Sequence, residues 1–342
     1  MSKSLFRQSF LFDSLDLTQE MQTGSVTTEL GVTVAVHERG VIEITPKYFD
    51  ETNKNIIIST GIHGDETAPM EIVDQLINDV LSGFQGITER LLIINAHPEA
   101  TNAHTRFIEQ NLNRLFDNKE YPESKEATIA KNLKRVVGEF FADTPEESRW
   151  HLDLHCAIRL SKHYSFAVSP KVRYPVRSRA LFEFIDHSHI EAVLLSNAPS
   201  STFSWYSAEN FAAQALTLEL GQVARIGDNQ LEKLNAFDLT LRDLIANTIP
   251  EHLPKRSKKY RVSRTIVRLH EDFDFIFDDK VENFTEFMHG EVFGHDGDKP
   301  LMAKNEGEAI VFPNRHVTIG QRAALMVCEV RTRYENEQLT YD

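Results

Sequence analysis

The segment Gly61-Ile-His-Gly-Asp-Glu-Thr-Ala-Pro69 places a histidine and a glutamate three residues apart, directly after the apolar run Asn55-Ile-Ile-Ile-Ser-Thr60. A catalytic zinc site commonly takes three protein ligands and keeps one position for water, and two histidines with one glutamate are a standard set. His63 and Glu66 supply two of the three from one tight loop. Such a loop must turn sharply to aim both side chains at one point, and Gly61 and Gly64 permit the turn. A lone His-x-x-Glu usually lies on a solvated surface, so the pattern needs a partner. Asp153-Leu-His155 provides it. Residues two apart on a strand point to one side, so His155 can complete the ligand set while the Asp153 carboxylate supports a ligand imidazole. Cys156 then projects to the opposite face, as a packed thiol and not a ligand.

These residues must be carried by strands. Val32–Val36 and Val41–Thr45 alternate with period two about His37-Glu-Arg-Gly40 and read as a hairpin. Short apolar runs follow at residues 56–58, 91–94, 150–155, 165–168, 192–195 and 215–219. Helical patterns over about 68–81, 125–141, 176–186 and 230–246 separate them. Strands alternating with helices predict an α/β fold, a mostly parallel or mixed sheet flanked by helices, with ligands gathered at the carboxyl ends of the strands. GIHGDE, the end of Asp153-Leu-His155 and the end of Thr217-Leu-Glu-Leu-Gly221 all fall at such ends.

Thr248–Lys259 carries two prolines and a basic run and reads as a linker with solvated charges. Beyond Tyr260 the pattern becomes short alternating runs, at 262–269, 291–293, 309–312 and 323–330, with turns at 294–300 and 312–314. The expected organisation is therefore a catalytic α/β domain over 1–252 and a smaller β-rich domain over 260–342.

The chain of 342 residues has 37 Lys and Arg against 51 Asp and Glu, a net charge of −14 that disfavours nucleic acid and anionic lipid as partners. Two cysteines outside any Cys-x-x-Cys pair suit a reducing compartment. The start, MSKSLFRQSFLFDSL, lacks the features of a secretory signal, and no run approaches the ~18 apolar residues of a membrane span. A cytoplasmic protein is expected, with homo-oligomerisation left open.

Four motifs in order, GIHGDE, Thr105-Arg-Phe-Ile-Glu-Gln-Asn-Leu-Asn-Arg-Leu-Phe-Asp117, Asp153-Leu-His-Cys-Ala-Ile-Arg159 and Leu218-Glu-Leu-Gly221, resemble those of the succinylglutamate desuccinylase/aspartoacylase family, relatives of the zinc carboxypeptidases. Thr217-Leu-Glu-Leu-Gly-Gln222 and the long N-terminal lead look closer to its desuccinylase branch. The resemblance implies a zinc carboxypeptidase-like catalytic domain binding one Zn2+ per chain through His63, Glu66 and His155. It implies Glu219 as the catalytic carboxylate, Arg106 as the cation at the developing oxyanion, and Asn113 and Arg114 as the pair that holds substrate. Zinc makes water nucleophilic near neutral pH, and a carboxylate beside it can move the proton, so the chemistry agrees with the assignment. An arginine can grip a carboxylate through two parallel hydrogen bonds. The alternative for Arg106 and Arg114 is surface pairing with Glu109 and Asp117.

The substrate implied is a small anionic N-acyl amino acid, N-succinyl-L-glutamate, cleaved to succinate and glutamate in arginine breakdown by the succinylating route. Alternatives are an aspartoacylase-like deacylase of another acidic amino acid, a zinc carboxypeptidase acting on peptides, and a non-catalytic protein binding an acidic metabolite. His187 and His189 could bind a metal but lie outside the motif set and read as surface-loop residues, while Arg159, just beyond the third ligand, and Arg225 are open between meeting an anionic substrate and forming an ion pair.

Overall fold

The computed structural model describes residues 5–341; the first four residues and Asp342, at the outer ends of the two expected domains, lie outside the described residues. The strands are β1 (Gly24–Thr27), β2 (Thr33–Glu38), β3 (Val41–Thr45), β4 (Asn55–Thr60), β5 (Arg90–Asn95), β6 (Arg149–Ala157), β7 (Ser165–Ser169), β8 (Ala192–Leu195), β9 (Gln214–Gln222), β10 (Lys258–Val267), β11 (Asp274–Phe275), β12 (Thr285–Phe287), β13 (Val292–Asp296), β14 (Lys299–Met302), β15 (Glu308–Val311), β16 (Arg322–Glu329), β17 (Thr332–Glu335) and β18 (Gln338–Tyr341). The helices are α1 (Phe10–Leu15), α2 (Ala68–Ser82), α3 (Pro98–Ala103), α4 (Lys125–Phe141), α5 (Arg179–His187), α6 (Phe203–Phe211) and α7 (Asn235–Ala246).

One mixed sheet runs in the order β1-β2-β3-β5-β4-β6-β9-β7-β8-β10-β16-β15-β12. Its centre, β5-β4-β6-β9, is parallel. Every residue of β4 is buried, as expected of a strand covered on both faces. Ile56 and Ile58 pack with α2, α5 and α7 through Leu76, Ile77, Leu181 and Leu241. Ile57 faces the other way, towards Leu133 and Val137 of α4 and Phe203 of α6. Cys156 belongs to the α2 side, opposite His155, so the parity of β6 separates the thiol from the imidazole as the sequence predicts.

The β-rich part is not a detached unit. β10 pairs in parallel with β8, so the main sheet continues across residues 252–260, where the sequence reading puts a boundary. Phe166 and Leu194 share a core with Tyr260, Phe284, Val311 and Val327. The basic run is also less solvated than the sequence suggests. Lys258 and Lys259 open β10, and the buried Lys259 ammonium lies 3.2 Å from Asp186 and 2.9 Å from the Ser257 hydroxyl. The expected helix over 230–246 divides into a 3₁₀ turn at Leu231–Leu234 and α7. α1, α3 and α6 carry too few periodic positions to stand out in the sequence.

The loop that joins β4 to α2 carries His63 and Glu66, and it rests directly on α3. A Cβ at Gly64 would lie 2.2 Å from the carbonyl carbon of Ala100 and 2.4 Å from the amide of Thr101. Those are backbone atoms, which cannot swing aside as a side chain can. Gly64→Ala is expected to cost about 1–3 kcal/mol or more of stability through overpacking, read as a lowered urea midpoint. An unchanged midpoint would contradict this close approach.

Candidate metal centre and active site

The parallel register brings the site together. His155 on β6 lies directly opposite Glu219 on β9, and Asp153 lies opposite both Ser59 and Thr217, so these side chains share one face of the sheet. The β4–α2 loop folds over the same end. Glu66 forms a bridge with Ala224, and the Thr67 hydroxyl donates to the Ala224 carbonyl at 2.8 Å.

One donor atom each of His63, Glu66 and His155 lies within 4.8 Å of the others, and all three residues are buried. The imidazoles meet through Nδ1, with the two atoms 3.2 Å apart. Glu66 Oε1 is 2.9 Å from His63 Nδ1, and Oε2 is 2.7 Å from His155 Nδ1. The opposite ring nitrogens are engaged by oxygens. His63 Nε2 is 3.0 Å from Asn111 Oδ1, and His155 Nε2 is 3.2 Å from Asp153 Oδ2. Asn111 Oδ1 also accepts from the amide of Asn113, which identifies it as the acceptor end of the carboxamide. Each Nε2 then donates its proton outward, which leaves each Nδ1 as the nitrogen that would offer a lone pair to a bound cation at the centre.

Behind Asp153 runs a buried polar chain absent from the sequence reading. Ser59 Oγ donates to Asp153 Oδ1 at 2.6 Å and is 2.9 Å from His151 Nε2, while His151 Nδ1 is 2.7 Å from Ser207 Oγ. Because the serine proton is given to the carboxylate, His151 Nε2–H must donate to Ser59, and Ser207 must donate to Nδ1. Every proton in the chain is thereby directed. Burial drives the His151 pKa down to about 4, which keeps its ring neutral. Phe203 stands edge-on to it, with ring centroids 4.7 Å apart.

The donor set fits a divalent cation. Two imidazole lone pairs 3.2 Å apart repel unless a proton or a cation lies with them, and a carboxylate adds the matching negative charge. Burial opposes a charge on His155, but Asp153 and Glu66 outweigh it and hold its pKa well above the ordinary histidine value. Burial prevails at His63, whose pKa is lowered. Burial also pushes the Glu66 carboxyl up, but the two histidines more than reverse that and leave it well below the usual range.

The other expected residues divide. Arg106 donates from Nη1 to Glu66 Oε1 at 2.6 Å, so its partner is a candidate ligand, not Glu109. Its carbonyl accepts from the Gly64 amide at 3.2 Å. The stretch after Arg106 is pinned by buried Glu126, which accepts from the amides of Ile108, Glu109 and Gln110 and from His97 Nε2. Asn113 is buried, its oxygen accepts from the Phe203 amide at 2.9 Å, and its nitrogen lies 3.5 Å from His155 Nε2. Arg114 donates to the Asn113 carbonyl at 2.8 Å and has no carboxylate partner among the described residues; Asp117 pairs with Lys119 instead.

Glu219 keeps part of its surface open to solvent, and its carboxylate forms no hydrogen bond or ion pair among the described residues. Burial and the negative charge of Glu66 raise its pKa to about 7. His187 and His189 lie apart from the centre, bonded to the carbonyls of His252 and Leu253. The residues that sequence reasoning missed are Asn111, Ser59, His151 and Ser207. For Asn111 the signal was its position in the Asn-Leu-Asn-Arg run; for the others only strand pairing reveals the chain.

Residues 52–245 match the succinylglutamate desuccinylase/aspartoacylase catalytic domain, and residues 255–330 match the AstE/AspA barrel-sandwich hybrid domain. The succinylglutamate desuccinylase of Vibrio cholerae serotype O1 (strain M66-2) is 71% identical over 342 residues, 100% of both chains. The crystal structure of succinylglutamate desuccinylase from Vibrio cholerae aligns with a TM-score of 0.98 at 71% identity, over 99% of this chain and 100% of that one. The corresponding structure from Vibrio parahaemolyticus (RIMD 2210633) gives 0.97 at 67% identity, with the same coverage. With its catalytic segment matched around the His63–Glu66–His155 centre, the chain belongs to the succinylglutamate desuccinylase/aspartoacylase family.

Proposed function

We propose that the protein is a zinc amidohydrolase of the cytoplasm that cleaves N-succinyl-L-glutamate with water to succinate and L-glutamate, in arginine catabolism by the succinyltransferase route. The observation that carries this reading is the convergence of two imidazole Nδ1 atoms and one carboxylate beside a carboxylate of raised pKa that has no partner among the described residues. The desuccinylase names of relatives 71% identical along the whole chain support the substrate. Among the described residues no helix is long and apolar enough to cross a membrane, and both cysteines are free thiols.

In this reading His63, Glu66 and His155 hold one Zn2+, which when bound supplies the Lewis acidity that polarises the amide carbonyl and acidifies water. Glu219 accepts the proton of the attacking water. The C–N bond then breaks, and Glu219 returns the proton to the departing nitrogen. Arg106 sets a positive charge beside the ligand carboxylate, where the amide oxygen becomes negative, and so stabilises charge that develops in the transition state. Arg114 grips a substrate carboxylate through its planar guanidinium. A protein that merely binds an acidic metabolite has no use for a carboxylate held near pKa 7 beside a metal centre.

The defining assay compares N-succinylglutamate, N-acetylaspartate and a short peptide, with and without a chelator. Turnover of the first, abolished by chelator and restored by zinc, is expected. Hydrolysis of N-acetylaspartate with none of succinylglutamate would sink the substrate. Glu219→Gln is expected to lower kcat by about 10²- to 10⁴-fold while zinc stays bound. Since Glu219 must be deprotonated to act, the wild-type rate should fall as pH drops through the midpoint of this group, at or below about 7 because a bound cation favours the carboxylate. A Glu219→Gln rate equal to wild type would remove its role. Ser59→Ala and His151→Phe release the Asp153–His155 contact from its support. Each should weaken zinc about 10- to 100-fold in chelator competition, with wild-type zinc affinity in both counting against the buried chain.

A further inference from the structure

The chain that leaves α3 touches the candidate metal centre twice. Arg106 donates to Glu66, and five residues later Asn111 takes the His63 proton. The first contact is held by backbone bonds, from the Thr105 amide to the Ala100 carbonyl at 3.1 Å and from the Gly64 amide to the Arg106 carbonyl at 3.2 Å. Residues 107–110, between the two contacts, belong to no helix or strand, and residues 107–109 are exposed. Among the described residues no backbone–backbone hydrogen bond holds any of these four. Such a segment opens locally at little cost unless a side chain ties it down.

One carboxylate supplies the tie. Glu126 is 0% exposed. Its Oε1 accepts the Ile108 amide at 2.7 Å, the Glu109 amide at 3.0 Å and His97 Nε2–H at 3.0 Å, and its Oε2 accepts the Gln110 amide at 3.2 Å. The segment's other tie among the described residues is a long, exposed bond from Gln110 Nε2 to the Pro122 carbonyl at 3.5 Å. Burial pushes the Glu126 carboxyl up, but His97 and the amides overcome it and bring the pKa down to about 2, so the acceptor is ionised. His97 accepts the Ala100 amide on Nδ1 at 3.4 Å, which leaves its proton on Nε2 for Glu126. His97 also caps α3, the helix on which Gly64 rests. Glu126 itself stands in the first turn of α4, which Ser124 caps and whose Leu133 and Val137 enter the core. A core helix therefore holds an exposed segment through charge-assisted hydrogen bonds.

We propose that Glu126, oriented by His97, is a positioning residue for the reaction: by gripping the amides of residues 108–110 it sets Arg106 against Glu66 and Asn111 against His63. Among the described residues none of its hydrogen bonds reaches a candidate ligand, so it acts through the segment. A glutamine of the same shape has one acceptor oxygen and an NH2 group. With its oxygen on Ile108 and Glu109, the NH2 meets the Gln110 amide donor to donor, beside Asn111; turned round, it meets the other two amides and His97. Asn113 is fixed separately by the Phe203 amide, so the neighbouring Arg114 should keep its hold on substrate. The proposal rests on the zinc desuccinylase reading for its metal and its substrate.

The test compares full-length wild type, Glu126→Gln, Asn111→Ala and the double variant. In chelator competition each single substitution should weaken zinc about 10- to 100-fold. The double variant should lose less than the product of the two, because both act on His63 by one route. Losses that multiply, or wild-type affinity in Glu126→Gln, overturn the proposal. On succinylglutamate at saturating zinc, Glu126→Gln should lower kcat about 10- to 100-fold through a displaced Arg106, with KM within about threefold of wild type. A raised KM at unchanged kcat overturns it. Hydrogen exchange needs neither metal nor turnover. The amides of 108–110 should exchange faster in Glu126→Gln while β4 and β6 stay protected as in wild type. Wild-type protection of 108–110, or an equal loss of protection along the whole chain, overturns the positioning role. A wild type inert on succinylglutamate would instead remove the desuccinylase reading, and exchange and zinc competition would still judge Glu126.

Discussion

Two imidazole nitrogens that both present lone pairs at 3.2 Å cannot be left alone in a buried space. The rest of the site follows from how each is held in that tautomer. At His63 the Asn111 oxygen takes the opposite proton, and at His155 the Asp153 carboxylate does so. Asp153 is itself fixed by Ser59, which is oriented by His151, which is oriented by Ser207 on α6. The candidate metal centre is therefore supported through a helix on one face of the sheet and through the loop from residues 105 to 113. A buried carboxylate is tolerable there because hydrogen-bond donors surround it; left unpaired it would cost several kcal/mol.

The fold supplies placement that no local motif can. Parallel pairing aligns His155 with Glu219 across β6 and β9, although they are distant in sequence. One loop after β4 then delivers His63 and Glu66 over the same strand ends. The division of labour is electrostatic. Glu66 is held ionised by its neighbours, whereas Glu219, without a partner among the described residues, is raised by burial and by the charge of Glu66. Two carboxylates with pKa values pushed apart can serve different roles, one as ligand and one as proton carrier.

Much of this was legible in the sequence. The His63–Glu66 spacing, the shared side of Asp153 and His155, and the turn of Cys156 to the opposite face follow from glycine placement and strand parity. The apolar runs of β4 and β9 mark the strand ends where these residues collect. What the sequence hid depends on pairing between distant segments. Ser59 and His151 read as ordinary strand residues until β4 and β6 lie side by side. Arg159 looked like a substrate cation or a surface pair, and it is a clamp onto the β-rich part. Lys259 looked like linker charge because strand β10 begins before the alternating pattern does.

X-ray absorption at the zinc edge on the purified protein examines the coordination directly. The account requires one zinc per chain with a first shell of nitrogen and oxygen at about 2.0–2.2 Å and the scattering signature of two imidazoles. That signature should fall to one imidazole in His155→Ala. A sulfur shell near about 2.3 Å, or an unchanged spectrum when His155 is removed, would contradict it.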